Sequence, residues 1–210
     1  MVDFNNISES LQKGDANKVA ELVKQALEEK IVPKEILENG LIKGMGIIGE
    51  KFKKNEVYVP EVLIAARAMH AGMDVLKPKL VEAGVKNLGK VTMGTVKGDL
   101  HDIGKNLVNM MLEGAGFEVI DLGVDVSAEE FVEAVKEHQP NILGMSALLT
   151  TTMINMADVI KALESAGLRA QVKIMIGGAP ITQNYAEQIG ADSYAPDAAS
   201  AADLAKSYMV

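Results

Sequence analysis

The chain has 210 residues, 48% hydrophobic and 24% charged, a composition typical of folded globular protein and too apolar for intrinsic disorder. Its 29 acids against 21 bases give a net charge of −8, and no compact basic stripe offsets it, which argues against nucleic acid as a partner. Cysteine is absent, which excludes disulfides, thiolate zinc, cysteine-held iron–sulfur clusters and a cysteine nucleophile; any redox metal must have nitrogen or oxygen ligands or arrive inside a cofactor.

The start, Met1-Val2-Asp3-Phe4-Asn5-Asn6, lacks the basic and apolar segments of a signal peptide. No apolar run reaches the roughly 18–20 residues that span a bilayer, so a cytoplasmic location without a membrane partner is expected. From Ser8 to Val85 the apolar residues recur at helical spacing. A short helix is predicted near 7–11; Val19, Leu22, Val23, Ala26 and Leu27 mark a second, and Leu37, Leu41, Met45, Ile48 and Phe52 a third. Val62, Ala66, Met69, Met73 and Leu76 mark the fourth. Pro33 and Pro60 stand where helices begin, which suits the fixed φ of proline in a first turn. These features predict an N-terminal four-helix bundle of up-and-down type over residues 1–87.

After Gly84-Val85-Lys86-Asn87-Leu88-Gly89, a predicted linker, short apolar runs alternate with helical stretches. Strands are predicted at 91–96, 118–122, 142–146, 173–176 and, more weakly patterned, 193–195. Helices are predicted at 103–113, 128–137, 152–166, 181–189 and 199–208. Alternation of this kind implies right-handed crossovers and a parallel sheet covered on both faces. The fold class is therefore α/β, with residues 88–210 forming a flavodoxin-like, Rossmann-like, doubly wound parallel five-stranded sheet.

Ligands of such sheets bind outside the carboxyl ends of the strands. Three segments fall on that edge: Gly98-Asp99-Leu100-His101-Asp102-Ile103-Gly104 after the first strand, Ser146-Ala147-Leu148-Leu149-Thr150-Thr151-Thr152 after the third, and Gly177-Gly178-Ala179-Pro180 after the fourth. A histidine that offers a neutral nitrogen to a metal needs its other ring nitrogen oriented by an acceptor, and Asp99 is placed to do this. Each segment also has a purely structural explanation: Asp102, Thr151 or Thr152 as helix caps, the paired glycines as a turn.

Rival motifs fit less well. A phosphate-binding P-loop has four residues between its glycines, whereas Gly98 and Gly104 enclose five, and Asn106 replaces the magnesium-binding hydroxyl. No strand is followed by a dinucleotide G-x-G-x-x-G. A protein-only metal site lacks a second strong ligand: His138 closes a helix before Pro140, and His70, beside an apolar stripe, is expected to be a partly buried packing residue. Nothing near Ser146 supplies a nucleophile elbow.

The run Thr95-Val96-Lys97-Gly98-Asp99-Leu100-His101-Asp102-Ile103-Gly104-Lys105-Asn106, with Gly144-Met145-Ser146-Ala147-Leu148-Leu149-Thr150 and Ile176-Gly177-Gly178-Ala179, closely resembles the cobalamin-binding domain of methionine synthase. It resembles more closely still the small corrinoid proteins of methyl-transfer systems in methanogens and acetogens. In the helical half, Gly44-Met45-Gly46, Glu50-Lys51-Phe52 and Tyr58-Val59-Pro60-Glu61-Val62 look like the cap that covers the corrin in those proteins.

The resemblance implies cobalamin or a related corrinoid bound base-off, with His101 as the lower axial ligand of cobalt and Asp99 orienting it. It implies that Ser146, Leu148 and Thr150 contact the displaced nucleotide tail, that Gly177 and Gly178 clear space for it, and that Thr152 completes a His-Asp-hydroxyl relay. Gly98, Leu100, Asp102, Ile103, Gly104 and Ala179 fall among the cofactor-binding positions, as do Glu38 and Ala198. Phe52 and Val59 would cover the upper face, although leucine is more usual at the second position. A cap that shields the cofactor must also move, and Gly84 and Gly89 are the expected hinge.

The function implied is a methyl carrier rather than a self-sufficient enzyme, since there is no barrel to bind a methyl donor. Its partners would be a substrate-specific methyltransferase for a methylamine, betaine, methanol or aryl methyl ether donor, and a second methyltransferase acting on tetrahydrofolate or coenzyme M. Without cysteine, the chain would also need a separate reductive activase. The alternatives are the cobalamin subunit of a carbon-skeleton mutase, which should lack the helical cap, and a cobalamin-dependent sensor, for which there is no spare length.

Overall fold

The computed structural model describes residues 2–210. It divides into two compact units, the first running to Asn87 and the second formed by Leu88–Glu113 and Phe117–Val210.

The first unit is helical: α1 (Phe4–Gln12), α2 (Ala16–Glu28), α3 (Pro33–Glu35), a π-helical segment (Ile36–Ile42), α4 (Lys43–Lys53) and α5 (Val59–Glu82). Asp3 and Asp15 cap α1 and α2 by accepting from the backbone N–H of Asn5 and Lys18. Ile7, Leu11, Val19, Val23, Ala26, Leu41, Met45, Ile48, Val62, Ala66 and Leu76 form the buried stripe that the helical spacing implies. Gly72 lets α5 close on its neighbours, because a Cβ there would lie 2.9 Å from Val19 and 2.8 Å from Leu41.

Two expectations for this unit need correction. The third helix was expected to bury Leu37; Ile36 is buried instead, five residues before Leu41, because the chain follows a π rather than an α course there. His70, expected to be partly buried, is exposed on α5.

The second unit contains β1 (Lys90–Thr95), α6 (Ile103–Gly114), β2 (Glu118–Asp121), α7 (Ala128–His138), β3 (Ile142–Ser146), α8 (Thr150–Met153), α9 (Asn155–Ser165), β4 (Lys173–Gly177), α10 (Gln183–Ile189), β5 (Ser193–Ala195) and α11 (Ala198–Ser207). All strand pairs are parallel, in the order β2-β1-β3-β4-β5. This is the doubly wound arrangement expected, and its switch point lies between β1 and β3. One face carries the main core, where Val96, Phe131, Leu143, Met145, Met156, Ile160, Ile174 and Ile176 pack together. Gly94 admits the Phe131 ring, which a Cβ would approach to 2.7 Å; full burial of such a side chain contributes about 2–3 kcal/mol.

The helix predicted at 152–166 instead begins at Thr150 and breaks at Ile154. The predicted hinge glycines also differ from each other. Gly84 is a left-handed helix cap with φ +67° and open space around it, whereas a Cβ on Gly89 would meet Met209, Asn141 and Phe117. Gly89 is therefore held inside the second unit.

Candidate cofactor site

The site is built from the carboxyl end of β1 outward. Gly98 turns the chain at φ +80° and donates its N–H to Asp125 Oδ1 at 2.6 Å. The Asp99 N–H donates to the Val96 carbonyl at 3.1 Å, and its own carbonyl accepts from Asp125 N–H at 3.0 Å. Thr95 Oγ1 donates to the His101 carbonyl at 3.1 Å. The loop is thus fixed at three successive points before any ligand is considered.

Asp99 is fully buried, and every hydrogen bond to its carboxylate comes from a donor. Oδ1 accepts from His101 Nδ1 at 2.7 Å and from the His101 N–H at 3.1 Å. Oδ2 accepts from Leu148 N–H at 2.8 Å, Leu149 N–H at 3.3 Å and Thr152 Oγ1 at 2.6 Å. Burial alone pushes the carboxyl up, but the bonds from Thr152, Leu148 and His101 outweigh it and hold Asp99 well below the usual carboxylate range. An ionised Asp99 can only accept, so Nδ1 of His101 carries a proton, and in the neutral imidazole the lone pair is therefore on Nε2. The His101 side chain is 52% exposed, leaving that nitrogen available to a ligand.

Around the imidazole stand apolar side chains that the chain itself leaves uncovered: Leu100 at 71% and Ile103 at 78% exposure, with Leu148 and Leu149 also exposed. Gly104 has nothing within 4 Å of where its Cβ would be, so the protein's own packing does not require glycine there. Asp102 stands directly before α6, its carbonyl accepting from Asn106 N–H at 2.8 Å and its carboxylate from Asn106 Nδ2 at 3.0 Å. Beside it, buried Lys105 pairs with Asp121 at 2.6 Å and donates to Asn106 Oδ1 at 2.8 Å.

The strand register brings further predicted residues into one row. Thr95 lies opposite Ser146, Ser146 opposite Gly177, and Gly177 opposite Ala195. In the row beneath, Met93, Gly144, Met175 and Ser193 share the same face by strand alternation, and the Met93 thioether lies over Gly144. The edge row is small or hydroxylic throughout, above a floor of two polarisable methionines. Ser193, which the sequence reading passed over, is buried with its hydroxyl unpartnered among the described residues. Gly178, by contrast, is required by the protein: at φ +131°, a Cβ would fall 1.9 Å from the Ala147 carbonyl oxygen. Thr150 and Ala179 are exposed at this edge, and buried Ala198 opens α11.

Glu38, Phe52 and Val59 belong to the helical unit. Glu38 sits exposed in the π segment with Lys34 Nζ at 3.6 Å, Phe52 is part-buried near the end of α4, and Val59 opens α5.

This donor set discriminates between metals. Among the described residues no group of three or more histidine and carboxylate side chains could hold a bare ion. One oriented imidazole nitrogen beside exposed apolar side chains suits a metal whose equatorial ligands come with it in a macrocycle. The orphaned Ser193 hydroxyl and the row of small residues leave polar and steric room for such a group's appendage. The residues present therefore fit a corrinoid.

Comparison with known proteins agrees. Residues 89–203 match the B12 binding domain family, and residues 4–77 match a second family also described as a B12 binding domain. The chain is 47% identical over 186 residues to trimethylamine corrinoid protein 1 of Methanosarcina acetivorans, covering 88% of this chain and 86% of the relative. It is 43% identical over 207 residues to dimethylamine corrinoid protein 3 of the same organism, covering 99% and 97%. Among solved structures, a chain of the methanol:cobalamin methyltransferase complex of Methanosarcina barkeri superimposes with a TM-score of 0.87 at 31% identity, covering 98% of this chain and 79% of that one.

Proposed function

Because the chain belongs to the B12 binding domain family in both of its units, we propose that it is the methyl carrier of a corrinoid-dependent methyltransferase system. When bound, the corrinoid supplies the cobalt that receives a methyl group from one partner and yields it to another. The observation that carries the reading is the saturation of the Asp99 carboxylate by donors from two loops, which leaves His101 Nε2 as a directed lone pair at the switch point of the sheet.

On this reading His101 is the lower axial ligand and the cofactor binds base-off. Leu100, Ile103 and Leu148 meet the apolar rim of the macrocycle. Asp102 would be available to accept from a polar edge group of the cofactor, and the Ser146–Gly177 row would hold its displaced tail, with Ser193 offering a hydroxyl. Glu38, Phe52 and Val59 of the helical unit are further proposed cofactor contacts. The helical match over residues 4–77 favours the carrier over a mutase subunit.

The likeness to tri- and dimethylamine corrinoid proteins supports a methylamine-type donor. The partners are then a methylamine-specific methyltransferase, a second methyltransferase acting on tetrahydrofolate or coenzyme M, and a separate reductive activase, all in the cytoplasm.

The test is reconstitution of the protein, ¹⁵N-labelled at histidine, with cobalamin, followed by paramagnetic resonance in the Co(II) state. Hyperfine splitting that changes from the ¹⁴N to the ¹⁵N pattern on labelling, and disappears in His101→Ala, is expected. Splitting indifferent to the label would mean that the cofactor's own base is the ligand and would overturn the axial assignment. Failure to bind any corrinoid would overturn the whole reading.

A further inference from the structure

The chain between α8 and α9 does not continue as one helix. At Ile154 the pattern shifts: the Ala157 N–H turns to the Ile154 carbonyl at 3.1 Å, and the Met153 carbonyl is taken by the Tyr185 hydroxyl at 2.7 Å. Tyr185 comes from α10, the helix that follows β4. On the other side of the same break, Asn155 Nδ2 donates to the Lys97 carbonyl at 2.7 Å, in the loop that leads through Gly98 to Asp99. Burial and the nearby Asp158 carboxylate keep the Tyr185 phenol above its ordinary range, so it remains a donor.

These two bonds flank the break at Ile154 and secure the C-terminal end of the segment that serves Asp99. Leu148 N–H, Leu149 N–H and Thr152 Oγ1 all converge on Asp99 Oδ2; Leu148 and Leu149 lead directly into the single α8 turn, which holds Thr152 and ends at the break. A turn so short has little helical cooperativity of its own to fix its position. Neither Tyr185 nor Asn155 has a hydrogen bond to Asp99 or His101; Tyr185 reaches them through this turn, and Asn155 through the turn and through the Lys97 carbonyl.

We propose that Tyr185 and Asn155 are positioning residues: they clamp the α8–α9 break so that the donors of the 148–152 segment converge on Asp99, and thereby hold the His101 imidazole in its ligand-ready orientation. Tyr185 ties the end of the turn to α10, and Asn155 ties the start of α9 to the β1 loop. The effect on a bound corrinoid rests on His101 being the axial ligand; the effect on the turn does not.

Two readouts separate these claims. Tyr185→Phe keeps the ring and removes one hydrogen bond, and Asn155→Ala removes the other strut. In the full-length apoprotein, amide hydrogen exchange at Leu148 and Leu149 is expected to quicken about fivefold in each variant, the equivalent of one ordinary hydrogen bond, while Ile160 in the core of α9 keeps its wild-type rate. In the same variants loaded with cobalamin and reduced to Co(II), the fraction of cofactor with ¹⁵N-histidine hyperfine coupling is expected to fall while binding persists.

Unchanged exchange in both variants would overturn the proposal. Faster exchange with a wild-type fraction of histidine-ligated cobalt would also overturn it, because the turn would then not govern the imidazole. If wild-type protein shows no histidine coupling at all, the axial assignment fails, and the proposal is decided by the exchange rates alone.

Discussion

Thr152 Oγ1 lies 2.6 Å from Asp99 Oδ2, although 53 positions separate the two residues. A hydroxyl bonded to a buried carboxylate is a charge-assisted donor, stronger than a neutral one. Thr152→Val keeps the shape and removes the donor, and is expected to lower unfolding free energy by about 1.5–3 kcal/mol in urea titration. Thr152→Ser keeps the donor and loses one methyl group, and should cost about 1 kcal/mol or less.

Asp99 makes stability depend on pH in a definite direction. Its folded carboxyl titrates below the unfolded value of about 4, so the unfolded chain holds the proton more readily. The stabilisation is therefore complete above about pH 4 and is lost as pH falls toward the lower folded value. Asp99→Asn places an amide N–H₂ among donors and should cost about 1–3 kcal/mol near neutrality. The difference between wild type and variant, measured by denaturant unfolding of the apoprotein, should narrow only in strong acid.

Gly84 and Gly178 both have positive φ, yet they should respond differently to alanine. Gly84 lies in open space, so Gly84→Ala pays only for the left-handed backbone, about 1–2 kcal/mol. Gly178→Ala adds a collision with the Ala147 carbonyl oxygen and should cost more than about 3 kcal/mol. Calorimetric melting of the two variants in parallel measures the contrast.

The Lys105–Asp121 pair is asymmetric, with side-chain exposures of 1% and 40%. Asp121→Asn strands a buried ammonium without a countercharge and is expected to cost about 3 kcal/mol. Lys105→Met fills the same space, leaves a partly hydrated carboxylate, and should stay within about 1 kcal/mol of wild type. The reverse order in urea titration would show that the lysine's charge is not what the pair supports.

Much of this architecture was legible from the sequence, and the exceptions have physical reasons. Runs such as 142–146 and 173–176 announce themselves because a parallel strand buried on both faces is continuously apolar, and each strand end falls within one residue of its predicted position. The Asp99–His101 pairing was visible because the two residues are two apart in one loop. The Leu148 and Leu149 donors were not, because backbone N–H groups carry no mark in the sequence. The π segment was hidden for a related reason. A stripe expected at Leu37 and Leu41 is satisfied equally well by Ile36 and Leu41 once one turn is widened, and both residues are apolar. The break at Ile154 lacks any glycine or proline to signal it, and the Met153 carbonyl it leaves free is taken by Tyr185 from another helix.

The donors that saturate Asp99 reach it only across the β1–β3 junction, with β2 and α7 lying between those strands in the chain. Until β1 pairs with β3, the Leu148, Leu149 and Thr152 donors cannot reach Asp99, and its Oδ2 stays hydrated. Non-local pairing of this kind is slow to form. Full donor saturation of Asp99, and the fixed imidazole that depends on it, is thus a property of the completed sheet and not of the β1 loop alone.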